Sequence, residues 1–257
     1  MQNLYPLFER NRILKKELLW SLRDYSFAPI GLEYRQYGQG ILKGCHVRIE
    51  GEQLVVSPGM IKFRDFVYLI TEEERVSYEP TDQVTALKMR FAAAQETPDH
   101  ILYGMEIVLD ERVETGENEL EVCRFRLQRG AWLRETYKSF EDMGTQYNVL
   151  NYIHASWGSL RGSAMCPVLT QRFAQELLET NGCGDMDAQF AYLCMNRGDA
   201  LPRDILTDYI GRKNGKKPEH TISQEALFQE MCMTLRYMGG APQQREPEKK
   251  RRMILVD

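Results

Sequence analysis

The sequence predicts an α+β fold, in which an N-terminal helix and an antiparallel β-sandwich or barrel are followed by a C-terminal helical bundle. Leucines recur at helical spacing near the N-terminus, apolar and polar residues alternate from residue 33 to about 132, and helix signals replace this alternation from residue 133. We therefore expect four regions: an N-terminal amphipathic helix at 1–28, a β domain at 29–135, a helical domain at 136–240 and a flexible charged tail at 241–257.

The composition is typical of a soluble protein, with 43% hydrophobic residues, 27% charged residues and a formal net charge of -4. Such a charge gives no bulk attraction to nucleic acid. No apolar run approaches the roughly 18 to 20 residues of a membrane helix, and the N-terminus lacks the apolar core of a signal peptide. We expect a chain that is made in the cytoplasm and does not insert into a membrane.

The N-terminal helix is predicted over residues 7–25, where five leucines recur at helical spacing with charges between them: Leu7, Leu14, Leu18, Leu19 and Leu22. The first β-hairpin follows from the stretch "HVRIEGEQLVV" at 46–56, in which apolar residues alternate with polar ones on both sides of Gly51-Glu52. A two-residue turn with glycine first is typical of such a hairpin.

Further strands are predicted on both sides of the dipeptide Arg64-Asp65, and Ser57-Pro58-Gly59 has the residues of a type II turn, with glycine at a positive φ. Three longer strands are predicted at 84–93, 101–111 and 119–128, which makes six to eight strands in all. Strict alternation in the last of these places on one face Leu120, Val122, Arg124 and Arg126.

Helices are predicted in the second half from their caps and stops. Pro167 begins one helix that Gly182 ends, Asp185 is the candidate N-cap of the next, and two more run from Pro202 to Gly211 and from Ser223 to Gly240.

Catalytic and ligand motifs give weak signals. The stretch "GQGILKG" at 38–44 precedes a strand-like segment rather than the helix that a phosphate loop needs. A nucleophile elbow requires a serine between two glycines at fixed offsets, and this spacing is absent from Gly158-Ser159-Leu160-Arg161-Gly162. We predict that this stretch is a Gly/Ser loop. Six scattered cysteines and four scattered histidines form no metal-binding pattern, and the cysteines are expected to be reduced and mostly buried. We predict no catalytic residue, cofactor or metal site, although sequence leaves open an enzyme site assembled from distant residues.

Two kinds of surface residue are candidates for binding. Arg212, Lys213, Lys216 and Lys217 form one basic cluster and residues 249–252 form another, so that either could contact phosphates. Tryptophan is enriched at interface hot spots, which makes Trp20, Trp132 and Trp157 candidate partner contacts, with burial in the core as the alternative.

The β region also resembles a known family. The Gly-rich start "GQGILKGCHV", the hairpin containing "LVVSPGMI" and the strand "FVYLI" are similar to a module of bacteriophage tail and baseplate proteins. "ELEVCRFRLQRGAWLRETYKSFEDMGTQYN" resembles a segment of clostridial-type prophage structural proteins, some of which are misnamed helicases. The resemblance covers about residues 35–155, and it departs at Arg64-Asp65, where the module usually has a glycine.

The resemblance implies a non-enzymatic structural component of a phage or prophage tail or baseplate. Its partners would be other tail or baseplate proteins, with a homo-oligomer possible, and it would move from the bacterial cytoplasm into a phage-like particle. A helicase activity is not supported, because the chain lacks G-x-x-x-x-G-K-[ST]. The alternative is a nucleic-acid-binding accessory protein that uses 212–217 and 249–252.

Overall fold

The chain folds into antiparallel sheets followed by helices. The computed structural model describes residues 13, 15–196, 198–217 and 221–239. The helices are α1 Lys16–Glu33, α2 Pro167–Glu179, α3 Asp185–Met195, α4 Arg203–Lys213 and α5 Gln224–Met238. The strands are β1 Gly40–Gly44, β2 Val47–Glu50, β3 Gln53–Val56, β4 Gly59–Phe63, β5 Phe66–Ile70, β6 Glu74–Ser77, β7 Val84–Phe91, β8 Gln95–Glu96, β9 Ile101–Leu102, β10 Met105–Asp110, β11 Glu119–Arg126, β12 Trp157–Ser159 and β13 Gly162–Ala164.

The predicted α+β class is confirmed, but its β part does not end at residue 133. A five-stranded sheet has the order β13-β12-β1-β4-β5, and β12 runs parallel to β1. The segment predicted as a Gly/Ser loop is therefore the β12–β13 hairpin, in which Trp157 pairs with Ala164. The two strands, Trp-Gly-Ser and Gly-Ser-Ala, are too short to show a two-residue alternation, so the prediction of a loop was wrong. The division into domains at residue 135 stays a prediction.

Glycines allow β1 to pair closely with β12. A Cβ atom at Gly40 would lie 2.4 Å from the Gly158 backbone nitrogen, and one at Gly158 would lie 2.5 Å from the Gly38 carbonyl oxygen. Gly40 also has a φ of 140°. The glycines of "GQGILKG" thus serve backbone contact between strands rather than phosphate binding.

The predicted hairpin is confirmed as β2–β3, which β6 extends to a three-stranded sheet, and Gly51 has the expected positive φ of 61°. The predicted type II turn at 57–59 was wrong, since Gly59 is not among the residues with positive φ. Gly59 begins β4, where a Cβ atom would lie 2.4 Å from the Cys45 Sγ atom. β4 and β5 pair across Arg64-Asp65, and Arg64 takes the positive φ of 54°.

The sheet β10-β7-β11 contains a β-bulge that corrects the predicted faces of β11. Leu120 pairs with Met89 and Cys123 pairs with Leu87, so that the register shifts at Val122. Leu120, Val122, Cys123 and Phe125 all belong to the core. Arg124 and Arg126 therefore do not share the apolar face, because the extra residue reverses the alternation beyond it.

The four C-terminal helices begin and end close to the predicted positions. Pro167 is the first residue of α2, and the Ser223 hydroxyl accepts a hydrogen bond of 3.1 Å from the Ala226 N–H at the start of α5. At α3 the N-cap is Gly184 rather than Asp185, and the Asp187 carboxylate accepts the Gly184 N–H at 2.9 Å. Within the described ranges, no helix has the length and apolar character needed to cross a membrane.

One hydrophobic core joins the sheets to the helices. Strand residues such as Ile61 and Leu87 belong to the same buried cluster as Phe173 on α2 and Phe228 on α5, and Phe140 lies 4.7 Å from Phe228 between ring centroids. Residues 1–12 and 14 of the predicted N-terminal region at 1–28, residues 197 and 218–220, and the predicted tail at 241–257 with residue 240 lie outside the described residues. The helix α1 begins at Lys16 and extends to Glu33, eight residues beyond the predicted end.

Candidate partner-binding surfaces

The helix α1 has no buried residue in its 18-residue length. Six large apolar side chains are exposed on it, and we call them the α1 surface: Leu19, Trp20, Leu22, Tyr25, Phe27 and Leu32. At 3.6 residues per turn, Trp20 and Phe27 lie on one side of the helix, whereas Leu22, Tyr25 and Leu32 lie on the opposite side. These six side chains are 46% to 70% exposed, so the described part of the chain leaves much of both sides open although α1 contacts β5.

The C-terminal end of α1 is nevertheless fixed to the sheet. The buried Lys62 side chain on β4 donates hydrogen bonds to the carbonyl oxygens of Tyr34, Arg35 and Tyr37, at 2.8, 3.1 and 2.7 Å. An ammonium group at a helix C-terminus also interacts favourably with the helix dipole. These hydrogen bonds attach the C-terminal end of α1 to the core, although the side chains of the α1 surface are exposed.

A second candidate surface is a cleft of about 600 Å³ beside Trp132. We call it the Trp132 cleft; it is lined by Gly51-Glu52, residues 78–80, Leu127 and residues 129–133. Trp132 is one of the lining residues, and it is 82% exposed. The buried Tyr78 lines the cleft and donates its hydroxyl to the Gly51 carbonyl oxygen at 2.9 Å.

The three tryptophans differ in their environment. Trp20 is 46% exposed, with the Lys16 ammonium 4.6 Å from its ring centroid, and Trp132 is the most exposed of the three. Trp157 is only 3% exposed and lies in β12 within the core. Trp20 and Trp132 are therefore placed to contact a partner, whereas Trp157 packs inside this chain.

The basic cluster at 212–217 is largely engaged with carboxylates. Arg212 pairs with Asp208 at 2.7 Å, Lys213 pairs with the buried Asp187 at 2.6 Å, and Lys216 pairs with Glu230. The Asp187 carboxylate also accepts the Tyr209 hydroxyl at 2.8 Å. Lys213 and Lys216 therefore link the end of α4 and the segment after it to α3 and α5, whereas Arg212 pairs within α4. The second basic cluster, 249–252, lies outside the described residues.

The sheet β10-β7-β11 contains a group of charges that the sequence analysis missed. We call it the Lys88 cluster: Lys88, Arg90, Asp110, Arg112 and Glu119. The fully buried Lys88 lies 3.1 Å from Glu119 and 3.5 Å from Asp110, and it donates to the Glu114 carbonyl oxygen at 2.8 Å. The sequence does not reveal this cluster, because it does not give the strand register. β7 pairs with both β10 and β11, the strands that carry the two carboxylates.

Electrostatics in the Lys88 cluster keep its carboxylates ionised. Burial alone would raise the pKa of Glu119, but the Gly116 N–H and the cations of Arg90 and Lys88 outweigh burial and lower this pKa to about 2. The Arg112 N–H and the neighbouring cations likewise lower the pKa of Asp110. Carboxylates that are this firmly ionised act as partners for buried cations and are poor proton donors at neutral pH.

The thiols follow the prediction that they are mostly buried. Five of the six cysteines are buried, Cys183 is half-buried, and all six are free. Burial raises the pKa of Cys45 and Cys194 to about 12, which suppresses thiolate formation. In the part of the chain that the structure describes, no group of three or more His, Cys, Asp or Glu is arranged to hold a metal ion.

Comparisons with known proteins include a distant structural likeness. No family model matches the chain, and no curated protein matches it. Among solved structures, the crystal structure of TssK aligns with a TM-score of 0.39 and 10% sequence identity, over 93% of this chain and 70% of that chain. A likeness at this TM-score establishes neither a shared fold nor a shared function.

Proposed function

We propose that this chain is a non-enzymatic structural component of a phage or prophage tail or baseplate and acts in assembly of the particle. The observation that carries the proposal is the α1 surface. Helices that are apolar on opposite sides normally lie inside a larger protein or assembly, because water does not stabilise such exposure. Within the described chain, Trp20 and Phe27 on one side are 46% and 62% exposed, and Leu22 and Tyr25 on the other are 47% and 52% exposed.

The kind of assembly is suggested by the sequence. The glycine-punctuated strands at 38–70 are similar to a module of phage tail and baseplate proteins, and their glycines here serve close strand pairing. The partners would therefore be other tail or baseplate proteins, together with further copies of this chain. Synthesis would take place in the bacterial cytoplasm, followed by incorporation into the particle.

The exposed Trp132 supports a second contact. An indole that is mostly in solvent contributes a large apolar area when a partner covers it, and such residues dominate interface energies. Trp132 lies on a loop after β11, whereas α1 packs beside β5. Two separate surfaces would allow one copy to contact more than one neighbour.

The test is quantitative mass spectrometry of particles purified from an induced culture of the source strain. We expect the chain at a fixed ratio to the tail proteins. A strain that carries Trp20→Ser with Phe27→Ser is expected to yield particles with at least a tenfold lower content of this chain, since the apolar contact area is lost. Circular dichroism of the purified variant checks that it still folds.

The matched control replaces two exposed tyrosines on the C-terminal helices, Tyr192→Ser with Tyr237→Ser, and should leave incorporation unchanged. Absence of the chain from intact particles would contradict the proposal. Hydrolysis of a glycan, nucleotide or ester at enzyme-like rates would contradict its non-enzymatic part. The nucleic-acid alternative predicts salt-dependent binding, and the ion pairs at Arg212, Lys213 and Lys216 do not favour it.

A further inference from the structure

The Trp132 cleft holds two carboxylates that have no ion-pair partner among the described residues. The exposed Glu52 and Glu79 both line the cleft, whereas the nearby Glu50 and Glu73 are paired with Arg48. Arg129 also lines the cleft and offsets one of the two negative charges. The cleft therefore combines an open indole face with a net negative charge.

This combination is suited to a lysine or arginine side chain. The face of tryptophan attracts a cation more strongly than the other aromatic rings do, and a carboxylate beside it adds a charge-assisted hydrogen bond.

We propose that the Trp132 cleft binds the basic segment 249–252 of the same molecule. This segment consists of four consecutive cations, Lys-Lys-Arg-Arg, and it follows the described chain at a distance of ten residues from Gly239. The docked segment covers the Trp132 indole in the free chain. This inference does not rest on the proposed function, which the α1 surface carries; a partner that contacts Trp132 would have to displace the segment.

The chain is long enough for this contact. Near its C-terminal end, α5 is tied by Arg236 to Glu141 at 2.6 Å, and the next residue, Asp142, is tied to Arg134 at 2.7 Å. Arg134 is two residues from Trp132, so the path from Gly239 to Trp132 through Arg236 and these two ion pairs is on the order of 35 Å. Ten extended residues between Gly239 and Lys249 span at most about 33 to 36 Å.

Intramolecular binding also has an entropic advantage. A segment tethered to its own cleft experiences an effective concentration that reaches the millimolar range for a short flexible linker. Weak individual contacts, such as one cation over an indole and one carboxylate pair, then suffice for docking. Because the contacts are mainly electrostatic, they weaken as ionic strength rises.

The experiment measures acrylamide quenching of tryptophan emission in the full chain at low salt. The Trp132→Phe variant identifies the share of emission that belongs to Trp132. Neutralising the basic segment with glutamine at all four positions is expected to raise the quenching constant of that share at least twofold. The control variant replaces four other lysines with glutamine and so removes the same number of charges elsewhere: Lys43, Lys138, Lys216 and Lys217. It should leave the quenching constant unchanged.

Carbodiimide cross-linking followed by peptide mass spectrometry gives the second readout. We expect amide cross-links that join Lys249 or Lys250 to Glu52 or Glu79, in the monomer fraction and independent of protein concentration. Equal quenching in the two charge variants would overturn the proposal. Cross-links found only in dimers would also overturn it, because the segment would then bind a second copy, as would cross-links spread evenly over other carboxylates.

Discussion

At the scale of single residues, the least expected feature is the buried ammonium group of Lys88. The sequence around it, "VTALKMRF", reads as an ordinary strand, and nothing local distinguishes Lys88 from the more exposed Arg90. Burial becomes tolerable only because Glu119 and Asp110 are brought within 3.5 Å from two other strands. A buried cation without such partners would cost several kcal/mol.

The Lys88 cluster makes stability depend on pH. The folded pKa of Glu119, about 2, lies below its ordinary value of 4.5, so the unfolded chain binds the proton more readily. The stabilisation is fully present above about pH 4.5 and is lost as pH falls toward 2; it amounts to ~3 kcal/mol by linkage. Glu119→Gln is expected to cost ~3–5 kcal/mol at pH 7, because Lys88 loses a buried partner.

Urea unfolding at pH 7, 4.5 and 3 checks this expectation. The difference between the wild-type chain and Glu119→Gln should shrink as pH falls below 4.5. The exposed Glu117→Gln serves as the control and should change stability by no more than ~0.5 kcal/mol at any of these pH values. A difference that stays constant with pH would show that the carboxylate charge contributes little.

At the scale of secondary-structure elements, β1 and β12 show how backbone contact constrains sequence. Their parallel pairing places Ile41 opposite Trp157 and leaves no room for a Cβ atom at Gly40 or Gly158. The bulge at Val122 shows the complementary effect, since one extra residue changes which side chains of β11 reach the core. In both cases a single position determines the path of a whole strand.

Gly40→Ala is expected to destabilise the chain by about 3 kcal/mol or more. The methyl group would collide with the Gly158 nitrogen at 2.4 Å, and alanine is also strained at a φ of 140°. Thermal unfolding followed by circular dichroism measures the loss. Gly31→Ala is the control, because no atom lies within 4 Å of its added Cβ and it sits inside α1, where alanine is neutral or favourable. Equal effects of the two substitutions would contradict the close-packing argument.

At the scale of the whole molecule, the features predicted from sequence are those that depend on neighbouring residues. The hairpin around Gly51 and the cap at Ser223 are confirmed, because turn and cap chemistry act over a few positions. The parallel strand β12 and the burial of Lys88 depend on pairings between distant segments. The sequence could mark Trp132 as a candidate contact, but the cleft beside it forms only when the β2–β3 turn, the end of β6 and the loop after β11 come together.

The shared core predicts that the strands and helices unfold together. Leu87 and Ile61 lie in the same cluster as Phe173 and Phe228, so loss of the helices would expose the sheets. We expect a single transition in urea, with coincident midpoints for far-ultraviolet circular dichroism and for emission of the buried Trp157. Two separate midpoints would instead support independent domains divided near residue 135.

The parallel pairing of β1 with β12 also sets an order of events during synthesis. β1 is complete at Gly44, but its partner edge is supplied only when Ser159 has left the ribosome. At about 5 to 20 residues per second, β1 waits roughly 6 to 23 seconds with an open strand edge. Exposed edges of this kind template unwanted pairing between nascent chains. The glycine-rich start of β1 therefore keeps an edge open to unwanted pairing until β12 has been synthesised.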